Sequence, residues 1–252
     1  MANALIGHTG FVGGNLLRQN QFDFLYNSKN IQDIDEKNFD MVVCAGVPAI
    51  KWLANKEPEK DWANIEKLIN NLKTISAKKF VLISTIDVYP VTTAVTEDFS
   101  IDTNQLLPYG KHRRMLEEFV ANNFDSLIVR LPGIFGIGLK KNPLFDLIKH
   151  DFTYIHPKNM LQFYNLDHIW KDIKKSLKNN LKIINFVTEP ISLDNIAKKT
   201  LNLDLPQSTH PPTQQYDVKT KFASLWGNAV EYLYTKDVVL EDIKKFVKNF
   251  AG

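Results

Sequence analysis

Two groups of residues carry the side chains from which a catalytic centre can be built. The first, Ser84-Thr85-Ile86-Asp87, closes the apolar run Phe80-Val81-Leu82-Ile83. It sets two hydroxyls and a carboxylate at the C-terminal end of a strand, the edge where open α/β sheets hold ligands. The second, Pro108-Tyr109-Gly110-Lys111-His112-Arg113, opens on a proline suited to the first turn of a helix. Tyr109 and Arg113 are four residues apart and share a helix face. A fixed cation beside a phenol favours the tyrosinate and pulls its pKa down from about 10. With the Thr85 hydroxyl holding a substrate oxygen, Tyr109 can exchange a proton with that oxygen. Arg113 cannot release a proton, so its contribution is electrostatic.

A third group lies at the start of the chain. Gly7-His8-Thr9-Gly10-Phe11-Val12-Gly13 follows the apolar Ala4-Leu5-Ile6 and leads into a segment of helical spacing, the context a phosphate-binding turn requires. Its first glycine permits the tight turn, its second lets backbone approach a pyrophosphate, and its third lets helix and strand pack closely. Gly7, Thr9, Gly10, Phe11, Val12 and Gly13 are therefore candidates for holding a dinucleotide, a plain structural turn being the alternative. The second apolar run ends in Asn27-Ser28-Lys29 without the carboxylate that binds an adenosine ribose. Ser28 and Lys29 can donate to a 2′-phosphate, which favours NADP while leaving NAD possible; the other reading is a solvated loop. Asp33 and Ile34 suit either an adenine contact or an ordinary turn.

These groups need a scaffold that brings strand ends together. Short apolar runs predict strands at 2–6, 22–26, 41–45, 80–84 and 126–130, alternating with helical spacing at 11–19, 59–75 and 108–122. Ile65, Leu68, Ile69 and Leu72 form the apolar stripe of one helix. The second half is mixed, with helices expected at 144–149, 167–177, 193–201 and 238–250 and a turn-rich interruption at 206–212. The fold class is α/β: a Rossmann-type doubly wound parallel sheet with a small, irregular C-terminal substrate domain. The expected division is a dinucleotide-binding domain over 1–136 and a substrate domain over 137–252, some of whose elements return to the sheet.

Taken together, Gly7-x-x-Gly10-x-x-Gly13, Cys44-Ala45-Gly46, Asn64, Ser84-Thr85-x-x-Val88-Tyr89 and Tyr109-x-x-x-Arg113 resemble the extended short-chain dehydrogenase/reductases. That family includes nucleotide-sugar epimerases, dehydratases and reductases. The resemblance continues through Arg130-Leu131-Pro132-Gly133-Ile134-Phe135-Gly136, similar to the segment beside the nicotinamide, and through Phe163-Tyr164-Asn165-Leu166-Asp167-His168, which leads into a substrate-domain helix. It implies that Tyr109 is the general acid/base, that Thr85 binds the reacting oxygen, and that Arg113, where the family usually has lysine, grips the nicotinamide ribose. It adds Cys44, Ala45, Gly46, Asn64, Ser84, Leu131 and Pro132 to the cofactor site. Thr85 and Asp87, with Lys140, Lys141 and Asn142 at the place of a substrate diphosphate, form the expected substrate site; a solvated loop is the alternative for the last three. Family dehydratases resemble a threonine followed by two acids. This chain has Ile86 and Asp87, so reduction or epimerisation of a nucleotide-linked sugar ranks above dehydration. The rival is a non-catalytic dinucleotide sensor of the same fold. The resemblance also implies a homodimer through the helices at 59–75 and 108–122.

Composition narrows the remaining classes. Thirty-one basic and 28 acidic side chains give a net charge of +3 without a basic stripe, so nothing points to nucleic acid. The single cysteine, Cys44, lies in the run Met41-Val42-Val43-Cys44 and reads as a buried thiol in a reducing compartment. Six histidines show no metal-ligand spacing, and no metal is expected. The first apolar stretch is too short for a signal peptide or a membrane span, so a cytoplasmic protein is expected. Tyr154, Phe163, Tyr164 and Trp170 are expected in the core, His8 and His112 as polar residues near helix starts, and Ser192 as a helix N-cap.

Overall fold

The computed structural model describes residues 2–207 and 211–250, so residues 208–210 of the turn-rich stretch at 206–212 lie outside the described residues. The chain divides into two compact units. The first holds residues up to Pro90, Ser100–Arg130 and Asp167–Ile184; the second holds Val91–Phe99, Leu131–Leu166 and the described residues from Asn185 onward. The division falls after Arg130 rather than after 136, and one later segment belongs to the first unit.

The sheet is parallel and six-stranded among the described residues. Its strands are β1 (Asn3–Ile6), β2 (Phe24–Tyr26), β3 (Asn38–Cys44), β4 (Ser76–Thr85), β5 (Ser126–Leu131) and a later strand, Ile183–Asn185, at the far edge. The order β2-β1-β3-β4-β5 and then that edge strand is of the doubly wound kind. Val42, Val43, Phe80, Val81, Leu82, Leu127 and Val129 are buried, as strands covered on both faces require. All six residues of β5 are buried.

The helices of this unit are α1 (Phe11–Gln19), α2 (Lys51–Lys56), α3 (Pro58–Leu72) and α4 (Pro108–Asn123). The stripe Ile65, Leu68, Ile69 and Leu72 faces the core as its spacing predicts. Helix α2 and the edge strand were not anticipated. Between β2 and β3 the chain makes only a 3-10 turn, Ile31–Ile34, in which Ile34 is a core residue and Asp33 is exposed.

The second unit contains β6 (Gly133–Phe135), α5 (Pro143–Ile148), β7 (Met160–Leu161) and β8 (Phe163–Asn165). Strand β6 pairs parallel with β8. In the first unit, α6 (Ile169–Lys178) precedes the edge strand, which is β9. The second unit resumes with β10 (Ile191–Ser192), antiparallel to β7. Helix α7 (Leu193–Ile196) has the Ser192 hydroxyl accepting from the Asn195 N–H, as expected of an N-cap. It runs into a π turn, Ala197–Leu201, and α8 (Lys236–Phe250) ends the described chain. Buried Glu97 joins three parts of this unit, accepting from Asn185 N, Lys221 N and the Thr220 hydroxyl. Phe163, Tyr164 and Trp170 are buried as expected, whereas Tyr154 is 91% exposed and corrects its expected place in the core.

Candidate active site

The connections reverse direction between β1 and β3, so the loops after these strands flank the switch point where doubly wound sheets bind ligands. Gly7 takes φ +86, and a Cβ there would lie 2.4 Å from the Ala45 carbonyl oxygen. Only glycine lets the turn after β1 close against Cys44-Ala45-Gly46 after β3. A Cβ on Gly13 would lie 2.1 Å from the Gly7 carbonyl, which locks helix to turn. Gly10 differs: the one atom near its added Cβ is the Gly7 oxygen at 3.3 Å. The backbone at Gly10 is thus open on its outer side, at the start of a helix whose first turn holds no acidic residue. An anion is favoured there by the helix dipole and its first N–H groups.

The other groups of this edge sit around that turn. Thr9 is exposed and Phe11 and Val12 are half-buried. Asn27 hydrogen-bonds His8 at 3.1 Å and accepts from the Lys29 N–H, joining the loop after β2 to the glycine turn with Ser28 and Lys29 exposed. Cys44 is fully buried, and burial pushes its thiol up to about 11, leaving a packing role. Asn64 is exposed on α3 beside a small cavity under α2 that Pro48 and Asp61 also line. Ser84 donates to Glu117 at 2.6 Å, so its hydroxyl is held against α4. Glu117 in turn pairs with buried Arg130, which donates to the Tyr89 phenol at 2.7 Å.

At the end of β4, the chain turns through Ile86–Val88 with the Thr85 hydroxyl accepting from the Asp87 N–H. A Cβ on Gly110 would lie 2.2 Å from the Asp87 carbonyl oxygen. That close approach, which the sequence reading did not extract from Gly110, sets the start of α4 against the strand end. Tyr109, next to Gly110, is thereby brought to the same strand end as Thr85, and it is 7% exposed. Ile86 is buried, and Asp87 pairs with Lys51 of α2 at 2.7 Å. Lys51 was missed because α2 was missed.

Arg113 lies over the Tyr109 ring, its guanidinium carbon 3.8 Å from the centroid. Its donors are committed elsewhere. They form a two-pronged pair with Asp61 at 2.7 and 2.9 Å and reach the carbonyls of Pro48 and Tyr109 at 2.6 and 3.0 Å. These bonds hold protein groups where the resemblance implied a ribose. The expectation of an acidic phenol is corrected as well. Burial raises the Tyr109 pKa, and the opposing pull of Arg113 does not overcome it. The Asp87 carboxylate adds to the effect of burial, which favours the protonated phenol.

The second unit holds the remaining candidates. Leu131 is buried at the end of β5 and Pro132 half-buried. Lys140 and Lys141 are exposed. Asn142 uses its side chain within its own unit, accepting from Phe145 N at the start of α5 and donating to the Ile134 carbonyl. Among the described residues no three His, Cys, Asp or Glu side chains cluster as metal ligands, and no helix is long and apolar enough to cross a membrane.

Similar architectures exist among solved structures. A UDP-N-acetylglucosamine 4-epimerase from Methanobrevibacter ruminantium superposes with a TM-score of 0.75 at 14% identity, covering 99% of this chain and 98% of its own. RMD from Pseudomonas aeruginosa, solved with NADPH, gives 0.75 at 14% with 99% of each chain covered. A dTDP-4-dehydrorhamnose reductase from Clostridium acetobutylicum gives 0.72 at 12% over 100% of both. The chain shares its fold with these structures. No family model and no curated protein matches the sequence. In this fold the glycine turn, the end of β4 and the start of α4 carry the tyrosine, threonine and glycine positions that the sequence singles out.

Proposed function

We propose that the chain is an NAD(P)-dependent oxidoreductase that works at a carbonyl or hydroxyl carbon of a nucleotide-linked sugar, as a reductase or epimerase rather than a dehydratase. The observation that carries this reading is the close approach of Gly110 to the Asp87 carbonyl oxygen, 2.2 Å for an added Cβ, which sets buried Tyr109 against the end of β4 where Thr85 lies. The solved structures of this fold support the substrate class, because they include enzymes named for nucleotide sugars and one solved with NADPH. The glycine turn fits a dinucleotide: Gly10 leaves room for a pyrophosphate, with Thr9, Phe11, Val12 and Gly13 around it. Ser28 and Lys29, with Asn27, suit a 2′-phosphate and favour NADP over NAD. Ala45, Gly46, Asn64, Ser84, Leu131 and Pro132 complete the proposed cofactor contacts, and exposed Lys140 and Lys141 are those proposed for a substrate diphosphate.

The bound dinucleotide would supply or accept the hydride. The side chains handle the proton. A buried, protonated Tyr109 suits the reductive direction, in which it gives its proton to the oxygen that gains charge. The Thr85 hydroxyl stabilises the phenolate left behind, and Arg113 holds the ring face. Buried Ile86 offers no acid for removing water, which disfavours dehydration.

Melting the protein with NAD, NADP and nucleotide sugars tests the reading, since a ligand of the folded state raises the midpoint by about 2.7 kcal/mol of stability at a hundred times its Kd. NADP should act more strongly than NAD. Tyr109→Phe should keep that shift and lose about 10²- to 10⁴-fold in turnover; undiminished turnover would refute the acid/base role. One observation favours a second reading, a dinucleotide sensor: the Arg113 donors are engaged by Asp61, Pro48 and Tyr109. A sensor would bind dinucleotide without turning over any sugar nucleotide. A homodimer through α3 and α4 is part of the proposal, and sedimentation would register it as twice the chain mass.

A further inference from the structure

Arg113 stands where the resemblance implies a lysine, and its guanidinium carbon lies over the Tyr109 ring, 3.8 Å from the centroid. A ring face attracts such a cation, but holding a long arginine side chain in one place costs rotamer entropy. What fixes it is on another helix. Asp61, in the first turn of α3, accepts from Arg113 Nη1 at 2.7 Å and from Nη2 at 2.9 Å. Two bonds between a planar fork and a carboxylate set the orientation of both groups. Each terminal nitrogen then donates once more, Nη1 to the Tyr109 carbonyl at 3.0 Å and Nη2 to the Pro48 carbonyl at 2.6 Å. Arg113 and Asp61 are both buried. A buried ion pair is weak evidence for stability, because apolar side chains of similar volume often serve as well. What this pair adds is the place of the guanidinium.

We propose that Asp61 is a positioning residue of the Tyr109 site: it holds the Arg113 guanidinium over the phenol ring, which lets an arginine serve at the position of a lysine. This deepens the acid/base reading of Tyr109 and rests on it for its catalytic meaning. A cation beside a buried phenol acts on its ionisation only from where it is held. The charged groups that act on the phenol are Arg113 of α4, Asp87 at the end of β4 and Lys51 of α2, the last two paired with each other. Asp61 itself is shared with His112, whose ring nitrogen lies 2.8 Å from the oxygen that also accepts from Nη1.

The test replaces Tyr109 with 3,5-difluorotyrosine, whose phenol is intrinsically more acidic, and follows its ionisation by fluorine NMR across pH. Asp61→Glu keeps the negative charge and moves the carboxylate by one methylene, so the effect it produces is one of position. Its midpoint should lie about half a unit or more above the parent's, and Arg113→Met should raise the midpoint at least as far. In an Arg113→Met chain Asp61→Glu should add nothing, a result that general loosening of the helix junction would not reproduce. Asp61→Asn gives a second reading through its sign. Loss of the negative charge alone would lower the midpoint, whereas a guanidinium released from its place raises it. An unchanged or lowered midpoint in Asp61→Glu overturns the inference; where that chain does not fold, an unchanged or lowered midpoint in Asp61→Asn does so. Binding of NADPH to unsubstituted protein is measured in parallel. Its absence would sink the proposed function, while the midpoints would still show whether Asp61 places the guanidinium.

Discussion

Arg113 and Asp61 bury opposite charges against each other, and the consequences of separating them can be stated. Removing one member of such a pair strands the other in a low-dielectric site and costs about 3–5 kcal/mol. Asp61→Ala should lower stability on that scale in urea unfolding. Burial by itself would raise the Asp61 pKa, but the hydrogen bonds from Arg113 and then His112 outweigh it, and the folded value lies below the ordinary one. A depressed folded pKa adds stability that is present above the unfolded value and vanishes as pH falls through the folded one. As pH falls below the ordinary carboxylate range and through the lowered folded value, the stability of the wild type should therefore fall toward that of Asp61→Asn. Arg113→Lys should destabilise the protein by about 1–3 kcal/mol, because the three donors of one ammonium cannot reproduce the planar fork that serves both Asp61 oxygens and the Pro48 and Tyr109 carbonyls. Tyr109 and Thr85 were legible from the sequence because strand-end hydroxyls and a helix-opening tyrosine have local signatures. The engagement of Arg113 was not legible, since Asp61 and Pro48 lie 52 and 65 residues away in sequence.

Each element owes its position to a few close approaches, and the glycines separate folding from binding. In Gly13→Ala and Gly110→Ala the new Cβ would meet backbone carbonyl oxygens at 2.1 and 2.2 Å, so the helix must move away from its neighbour. Overpacking of this kind costs about 1–3 kcal/mol or more. Gly10→Ala meets only a 3.3 Å contact and should stay folded while losing dinucleotide affinity, because its methyl would occupy the open side of the turn. Calorimetric melting with and without NADP distinguishes the two classes. Equal folding losses in all three variants would contradict the assignment. Helix α4 was legible as a helix, but what holds its first turn was not. Leu107 at its N-cap offers no side-chain acceptor, Pro108 has no N–H, and the N–H of Tyr109 is capped from α2 by Asn55. Asn55→Ala should cost about 0.5–2 kcal/mol, as loss of a cap does. Helix α2 is six residues long and its bonds, from Asn55 to Tyr109 and from Lys51 to Asp87, are tertiary, so no periodic pattern announces it. The regular elements α1, α3 and α4 followed their apolar stripes closely.

At the scale of the whole chain, the first unit is discontinuous, and this decides what can fold without the remainder. Strand β5 is buried along its whole length, and Ile128 donates to the Lys182 carbonyl beside β9. Helix α6 brings Ile169, Trp170 and Ile173, all buried, with the Trp170 ring 5.8 Å from Phe22 and the Trp170 backbone N–H donating to the Gln19 side chain. These residues come from 167–184, yet they cover parts of the sheet unit built before Arg130. Composition and periodicity identified α6 as a helix but carried no information about which unit it would join, because that depends on contacts made across some 150 residues of chain. A chain ending at Arg130 would expose the edge of β5 and lose the burial of those three side chains, each worth about 1.5–3 kcal/mol. Set against a total stability of about 5–15 kcal/mol, that loss is decisive, and an uncovered apolar edge strand invites aggregation. The shortened chain should therefore show no cooperative thermal transition and should not bind NADP, although it contains the complete glycine turn, Thr85, Tyr109 and Lys51. A two-state melt with dinucleotide binding from that fragment would mean that α6 and β9 are dispensable, and that the first unit is held together by its continuous part alone.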